Sequence, residues 1–271
     1  MYVLRIRRFV PGRPDVRVKL LRSSTSDDSQ LQALTTFLVN DCIAIDGGSI
    51  GLALTPQQMT GIHDIVLTHA HSDHVASLPI FIAETFTELD TPIVVHALPE
   101  IVSALRHFIF NDQIWPNFEK IPLRSSRRPA LEYRTITPRE PFEINGVSVT
   151  AIRVNHVVPT VGLKLHDHQV AVIFTSDTYI TDEIWDVARE TEQLRAIFVD
   201  VSYPNEMESL AAASKHLTPQ SLASELIKLN RPVEVYATHI KPGKRAQVLW
   251  QLGELKNPLV SVAEIGRVYE W

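Results

Sequence analysis

The sequence lacks the features that mark secreted and membrane-spanning proteins. It has one cysteine, Cys42, in 271 residues, so it can form no internal disulfide, and this is compatible with a reducing cytoplasm. Cys42 lies in an apolar stretch, and we expect it to be a small buried side chain. No uninterrupted apolar run is long enough to span a bilayer, and the N-terminus carries arginines but no apolar signal segment. We therefore expect a cytoplasmic location and no membrane partner.

Positive charge is scarce over the chain as a whole. The 26 lysines and arginines are outnumbered by 31 acidic residues, which gives a net charge of -5. This balance argues against a long nucleic acid held by a basic surface. One local exception lies in residues 1–22, where the single acid is Asp15 and the basic residues are Arg5, Arg7, Arg8, Arg13, Arg17, Lys19 and Arg22. We interpret this stretch as a solvated face of edge strands, and a patch for an anionic partner is the alternative.

Repeats, linkers and low-complexity segments are also missing, so we expect one domain over residues 1–271. Apolar runs and turn residues predict strands at residues 2–7, 16–21, 36–39, 42–45, 65–67, 92–97, 131–137, 147–154, 161–165, 170–175, 196–201 and 233–237, and a final strand or hairpin at 260–269. Helices are predicted at residues 55–60, 76–86, 99–110, 182–191, 219–229 and 244–255. Strands and helices alternate in both halves, which predicts an α/β fold with two mixed sheets and helices outside, a four-layer αββα sandwich.

Potential metal ligands are concentrated in one segment, Thr68-His69-Ala70-His71-Ser72-Asp73-His74. It follows the apolar run Ile65-Val66-Leu67 and precedes a predicted helix, so the ligands lie on a strand-to-helix loop. Folding alone requires no such density of imidazole and carboxylate groups. These groups are the ordinary ligands of zinc and of its neighbours in the first transition row. The segment therefore predicts a metal site.

Residues of types that bind metals also follow four other predicted strands. A site for two metals needs ligands from several loops, and a rigid scaffold usually presents such groups at strand ends. The groups in question are Asp46, His156, Asp177 and His239. Taken alone, His156, Asp177 and His239 are each more typical of structural residues, but together with the first segment they predict one dinuclear centre.

These motifs resemble the metallo-β-lactamase superfamily, in which His-x-His-x-Asp-His is followed by a single His, an Asp and a last His. The resemblance covers roughly residues 17–271. It implies that His69, His71 and His156 bind the first metal and that Asp73, His74 and His239 bind the second, while Asp177 bridges the two. It also implies that Asp46 steadies a metal ligand from behind. A turn former beside Gly47-Gly48 is the alternative for Asp46.

Four stretches are more closely similar to the class II cyclic-nucleotide phosphodiesterases. They are residues 69–79 (HAHSDHVASLP), 107–118 (HFIFNDQIWPNF), 201–206 (VSYPNE) and 216–219 (HLTP). The glycine-rich turn common after the first strand of that family is replaced by residues 21–26 (LRSSTS), and Ser72 stands where Leu is common. The resemblance implies that His216 contacts the substrate phosphate or donates a proton. Trp115, in a loop, is expected to bind the substrate, whereas Phe108, Phe110 and Phe118 are expected in the core.

The implied chemistry is hydrolysis of a small phosphodiester or nucleotide, most simply a cyclic nucleotide. Two metals about 3.5–4 Å apart lower the pKa of a shared water from about 15.7 towards 7. Asp73 and His216 would be the catalytic residues, His216 as general acid. The chain has no serine or cysteine in a nucleophile motif, which agrees. The ligands suit two Zn²⁺ ions best, and Mn²⁺ or Fe²⁺ are alternatives.

Other functions on the same scaffold stay open at this stage. The bond that is hydrolysed could be an RNA 3′ end, a lactone or a thioester. Ribonuclease Z relatives carry a long arm between the third His and the Asp, whereas His156 and Asp177 leave room for one hairpin. A di-iron oxidoreductase is disfavoured because His71 stands where those proteins have Glu, and a metal sensor without activity is disfavoured by the complete ligand set. The sequence is compatible with a monomer or a homodimer.

Overall fold

The computed structural model describes residues 16–23, 30–167 and 169–271. The predicted strand at residues 2–7 and most of the basic N-terminal stretch lie outside these residues. In chain order the strands are β1 (Arg17–Leu20), β2 (Phe37–Val39), β3 (Ile43–Ile45), β4 (Asp64–Val66), β5 (Ile93–Ala97), β6 (Leu131–Thr135), β7 (Pro141–Ile144), β8 (Val147–Arg153), β9 (Val161–Asp167), β10 (Val170–Phe174), β11 (Leu194–Asp200), β12 (Glu234–Thr238), β13 (Val260–Val262) and β14 (Val268–Glu270). The helices are α1 (Ile50–Ala53), α2 (Pro56–Met59), α3 (Ser72–Val75), α4 (Leu78–Thr85), α5 (Pro99–Phe108), α6 (Glu183–Glu190), α7 (Glu208–Ser214), α8 (Pro219–Leu226) and α9 (Arg245–Glu254).

The strands form two mixed sheets of seven strands each. Their orders are β14-β1-β2-β3-β4-β5-β6 and β13-β12-β11-β10-β9-β8-β7. In the first sheet β3 to β6 are parallel, and in the second β10 to β13 are parallel. Parallel neighbours need long crossovers, and here each crossover contains one or two of the helices. The predicted αββα sandwich is confirmed.

The main core lies between the two sheets. Phe37 of β2 packs against Phe174 of β10 and Phe198 of β11, with ring centroids 5.0 and 5.3 Å apart. Such aromatic pairs add to the free energy gained by burying apolar area. A second apolar cluster, which includes Trp185 of α6, Leu222 of α8 and Val248 of α9, packs helices on the outer face of the second sheet. The sheets are therefore fixed on both sides, and their ends form a rigid edge.

Several predicted elements differ from the structure. The final strand or hairpin is wrong: β13 is parallel to β12 in one sheet, and β14 is antiparallel to β1 in the other. Gly266 lies between them with φ +85°, a left-handed conformation that favours glycine and lets the chain change direction. The predicted helix at 76–86 corresponds to α4, which begins at Leu78. Ser77, whose ψ is 3°, separates it from the short helix α3 just before it. The strand β7 and the helices α1, α3 and α7 were missed.

Smaller features were also predicted from the sequence. Asn145 and Gly146 both have positive φ in the turn between β7 and β8, the conformation that an Asn-Gly hairpin turn requires. Cys42 is half-buried against the core rather than fully buried. Between His156 and Asp177 the chain forms the β9–β10 hairpin, as expected. In the described part of the chain, no helix is both long and apolar enough to cross a membrane.

Candidate metal centre

The predicted ligands meet at one edge of the sandwich. Asp46 follows β3, and the segment from His69 to His74 follows β4. In the other sheet His156 follows β8, Asp177 follows β10 and His239 follows β12. Because these strands run in the same direction within their sheets, their carboxyl ends lie side by side. The topology therefore places all the predicted ligand loops around one point.

The backbone at these strand ends is unusual. Asp46, Ser176 and His239 have φ values of 61°, 57° and 60°. A left-handed conformation in a residue other than glycine costs on the order of 1 kcal/mol and persists only where surrounding contacts enforce it. The sharp turns direct the side chains of Asp46, Asp177 and His239 towards the common point.

The segment from His69 to His74 is fixed by backbone hydrogen bonds from the segments that contain Thr35 and Gly47. The backbone N–H of Thr35 donates to the carbonyl oxygen of Asp73 over 2.8 Å, and that of Gly47 donates to the carbonyl oxygen of His74 over 2.7 Å. A Cβ atom at Gly48 would lie 2.0 Å from the Asp73 carbonyl oxygen. Only glycine fits at position 48, so the Gly47-Gly48 pair fixes the position of Asp73 and His74.

One group of ligand atoms comes from His69, His71, His156 and Asp177. One nitrogen or oxygen of each lies within 4.8 Å of those of the others. The His156 Nε2 and His71 Nδ1 atoms are 3.2 Å apart. The Asp177 Oδ2 atom is 3.5 Å from His69 Nε2 and 3.9 Å from His156 Nε2. Four such atoms at these distances can surround one cation.

A second group comes from Asp73, His74 and His239. The His239 Nε2 atom is 3.1 Å from Asp73 Oδ2 and 3.4 Å from His74 Nε2. Asp177 touches this group as well, since its Oδ1 atom is 3.4 Å from His74 Nε2. The Asp177 carboxylate thus lies between the two groups, the location that a bridging ligand must have. These two groups together are called the centre below.

Asp46 lies directly behind the centre. Its carboxylate accepts hydrogen bonds from the Thr68 backbone N–H over 2.8 Å and from the Thr68 hydroxyl, and it lies 2.7 Å from His74 Nδ1. Because Nδ1 is engaged in this way, the Nε2 atom of His74 is directed towards Asp177. The backbone carbonyl of Lys215 lies 3.1 Å from His156 Nδ1 and orients that ring similarly. Contacts of this kind set the tautomer and orientation of metal-binding imidazoles.

A buried hydrogen-bond network beside the centre contains Asp200, which the sequence interpretation missed. Its Oδ2 atom is 2.7 Å from His216 Nδ1, and its Oδ1 atom accepts from the Ser202 hydroxyl over 2.7 Å. Burial raises the pKa of Asp200, but the opposite effect of His216 and His239 is larger and holds it at about 2. The His216 ring stacks on that of His239 and lies 5.1 Å from that of His156. The available signal was its place at the end of β11, between the two strands that precede Asp177 and His239.

The aromatic residues near residue 115 are arranged differently from the prediction. Phe110 and Phe118 are buried in the core as expected, but Phe108 is 74% exposed at the end of α5. Phe108 is therefore a surface residue, because the buried part of α5 ends at Leu105 and the last three residues of the helix are exposed. Trp115 is half-buried against the main core. Its contribution to substrate binding stays a prediction.

Residues 40–240 match the beta-lactamase superfamily domain. The chain belongs to the metallo-β-lactamase superfamily. It is similar to a protein of Yersinia pestis named "Probable 3',5'-cyclic-nucleotide phosphodiesterase", with 24% identity over 204 residues that cover 67% of this chain and 57% of that protein. It is also 25% identical over 243 residues to 3',5'-cyclic-nucleotide phosphodiesterase 1 of Saccharomyces cerevisiae, covering 74% of this chain and 63% of that protein. The chain thus spans about three fifths of the length of these curated relatives.

A solved structure has the same fold. Unliganded yeast PDE1 superposes with a TM-score of 0.77 and 18% identity, covering 95% of this chain and 100% of that one. At this identity the likeness shows the fold alone. It agrees with the two sheets and the external helices described above.

The centre fits the divalent ions that this superfamily implies. The Nε2 atom of His69 is buried and has no hydrogen-bond partner among the described residues, although buried polar atoms almost always have one. Burial, together with His74, lowers the pKa of His69 to about 4. Burial also lowers the pKa of His71 and His156. These imidazoles are therefore neutral at pH 7, the form that donates a lone pair to a metal.

The pKa values of Asp177 and of the other two histidines are shifted so that the charged forms are favoured. Burial raises the pKa of Asp177, but His239 and His74 lower it well below its ordinary value, so Asp177 is ionised. Burial lowers the pKa of His239, but Asp177, Asp200 and Asp73 outweigh it and raise the pKa to about 9. The pKa of His74 is raised in the same way by Asp177 and Asp46. A metal that binds here therefore replaces protons. The centre can therefore hold divalent metal ions.

Proposed function

We propose that the protein is a dinuclear metal-dependent phosphodiesterase that hydrolyses a cyclic nucleotide or a similar small phosphodiester. The observation that carries the proposal is the position of Asp177 between two ligand groups, with the Asp200–His216 pair beside them. The names of the two relatives support the substrate class. The net charge of -5 agrees with a small substrate rather than a long nucleic acid that is held by a basic surface.

The first ion would be held by His69, His71 and His156, and the second by Asp73, His74 and His239, with Asp177 shared. Bound divalent ions supply Lewis acidity, which makes water nucleophilic near neutral pH and stabilises negative charge on a phosphoryl group. The ligand set of five imidazoles and two carboxylates suits Zn²⁺ best, with Mn²⁺ and Fe²⁺ as alternatives. Elemental analysis of the purified protein identifies the ions.

The residues around the ions would hold and move the protons. Asp200 engages Nδ1 of His216. A proton that His216 donates would therefore come from the opposite ring nitrogen, Nε2, of the doubly protonated imidazole. When a water oxygen bonds to phosphorus and the bond from phosphorus to the leaving oxygen breaks, His216 would donate this proton to the leaving oxygen. The attacking water releases one proton to the solvent, and the solvent returns a proton to Nε2. General acid catalysis of this type contributes about 10²–10⁴ in rate. Asp200 then stabilises the proton that remains on Nδ1.

The test measures which members of a panel of phosphodiesters and one lactone the metal-loaded protein hydrolyses. The panel contains cyclic AMP, cyclic GMP, a 2′,3′-cyclic nucleotide, bis(p-nitrophenyl) phosphate and a lactone. We expect turnover of diesters and its loss in His71→Ala and Asp177→Asn, with the fold intact by circular dichroism. His63→Ala, which changes a histidine outside the centre, is the matched control. Hydrolysis of the lactone but of no diester would refute the proposed function, and full activity of both variants would refute the dinuclear mechanism.

Two further properties stay predictions. A cytoplasmic location agrees with the single cysteine, and fractionation of cells that express the protein tests it. The choice between monomer and homodimer is decided by light scattering after size exclusion.

A further inference from the structure

Lys241 lies at the rim of the centre and has no part in the steps described above. It follows His239 by two residues, and its backbone N–H donates to the Ser202 carbonyl over 3.3 Å. This bond fixes the main chain of Lys241 beside the network of Asp200. The Nζ atom lies 3.4 Å from Asp73 Oδ2, and the side chain is 32% exposed. The ammonium group therefore faces both the centre and the solvent from which a substrate arrives.

The contact with Asp73 does not by itself account for this position. An ion pair that is about one third exposed on both sides contributes little to stability. The same Asp73 oxygen lies closer to His239, at 3.1 Å, and belongs to the second ligand group. Once that oxygen is committed to a metal, its negative charge is shared and the ammonium group is left with a weaker partner. Lys241 is then a cation at the rim, available to an incoming anion.

We propose that Lys241 binds a phosphoryl oxygen of the substrate and so determines the affinity of the centre for phosphate-containing ligands. The inference rests on the proposed function and deepens it. An ammonium group on a flexible stem is a common ligand of phosphate because it acts as a compact point charge with three donors. It selects an anionic diester over a neutral ester, such as a lactone, that fits the same space.

The test measures the binding of inorganic phosphate to the metal-loaded protein by calorimetry. Lys241→Met should raise the dissociation constant of phosphate about ten- to hundredfold, the size expected for one lost hydrogen bond to a charged group. Lys241→Arg should keep most of the affinity. Lys244→Met removes the same charge three residues further along, from an exposed side chain, and should change the constant less than about twofold, because exposed charges are screened. In steady-state assays of a diester, Lys241→Met should raise KM more than it lowers kcat.

Two results would overturn the inference. One is an unchanged dissociation constant of phosphate in Lys241→Met. The other is loss of bound metal from that variant, which would make Lys241 a positioning residue for Asp73. Lys241→Gln serves as the second variant, with the same expectation, if Lys241→Met does not fold. The phosphate measurement needs no turnover, so a wild-type protein that hydrolyses no diester refutes the proposed function separately.

Discussion

Replacing Asp200 with asparagine tests how the proton of His216 is held. Asparagine keeps the shape of the side chain but replaces one carboxylate oxygen by an amide NH₂ group. That group cannot accept a hydrogen bond from Nδ1–H of His216, which now lies 2.7 Å from Asp200 Oδ2. The hydroxyl of Ser202 can still donate to the amide oxygen. The substitution therefore removes one charge and one hydrogen bond at a buried position with little change in volume.

The magnitude follows from the type of interaction that is lost. A hydrogen bond to a charged group contributes about 1.5–3 kcal/mol, and the free energy of unfolding should fall by about this amount. The effect on catalysis should be larger. If His216 supplies the proton of the leaving group, loss of its partner lowers turnover by up to about 10²–10⁴. A double variant with His216→Asn should be no slower than His216→Asn alone, because the two residues act as one unit.

The assay compares two diesters that differ in their leaving groups. A 3′,5′-cyclic nucleotide releases an alkoxide, which needs a proton, whereas bis(p-nitrophenyl) phosphate releases p-nitrophenolate, which does not. Asp200→Asn should therefore slow the cyclic nucleotide far more than the chromogenic diester, at unchanged metal content. Asp186→Asn, a surface aspartate on α6, is the control. An equal loss with both diesters would refute the assignment of His216 as the acid.

Three further predictions concern the architecture around the centre. Asp46→Asn should weaken metal binding about 10- to 100-fold in chelator competition, because His74 loses the carboxylate that orients it; unaltered affinity would contradict this role. In the metal-free protein, the pKa of His239 is raised from 6.5 to about 9, so this stabilisation is complete below about pH 6.5 and is lost as the pH rises through 9. Urea unfolding should accordingly show lower stability at pH 9.5 than at pH 6, and equal midpoints would argue against it. Gly48→Ala should cost about 1–3 kcal/mol or more, because its Cβ meets the Asp73 carbonyl, whereas Gly243→Ala has open space and should be tolerated; similar melting temperatures of the two variants would be the opposing result.

The parts of the fold that could be predicted are those in which the local pattern and the tertiary context agree. Buried strands such as β4 and β10 appear in the sequence as short apolar runs, and the ligand types follow them closely. The order of the ligands along the chain was sufficient to infer that they meet.

The features that were missed depend on distances between residues far apart in sequence. Asp200 is an ordinary aspartate at a strand end, and only its contact with His216 distinguishes it. The helix α7 is short, and no pattern indicated the φ of 61° at Lys215, the residue that follows its last residue, Ser214. The separation of residues 260–269 into two sheets follows from the partners β12 and β1, which lie far away in the sequence. Local patterns carry no information on such pairings.

The pairing of β14 with β1 also has a consequence for how the chain folds. The outer edge of residues 17–19 is covered only when residues 268–270 have been synthesised. The strand β12, which leads to His239, is covered by β13 only slightly earlier in synthesis. Contacts this distant in sequence form slowly and leave strand edges exposed in the meantime. Residues 260–270 thus cover one edge of each sheet. We expect the metal centre to be completed late in folding, and a partly synthesised chain to depend on protection of these two edges.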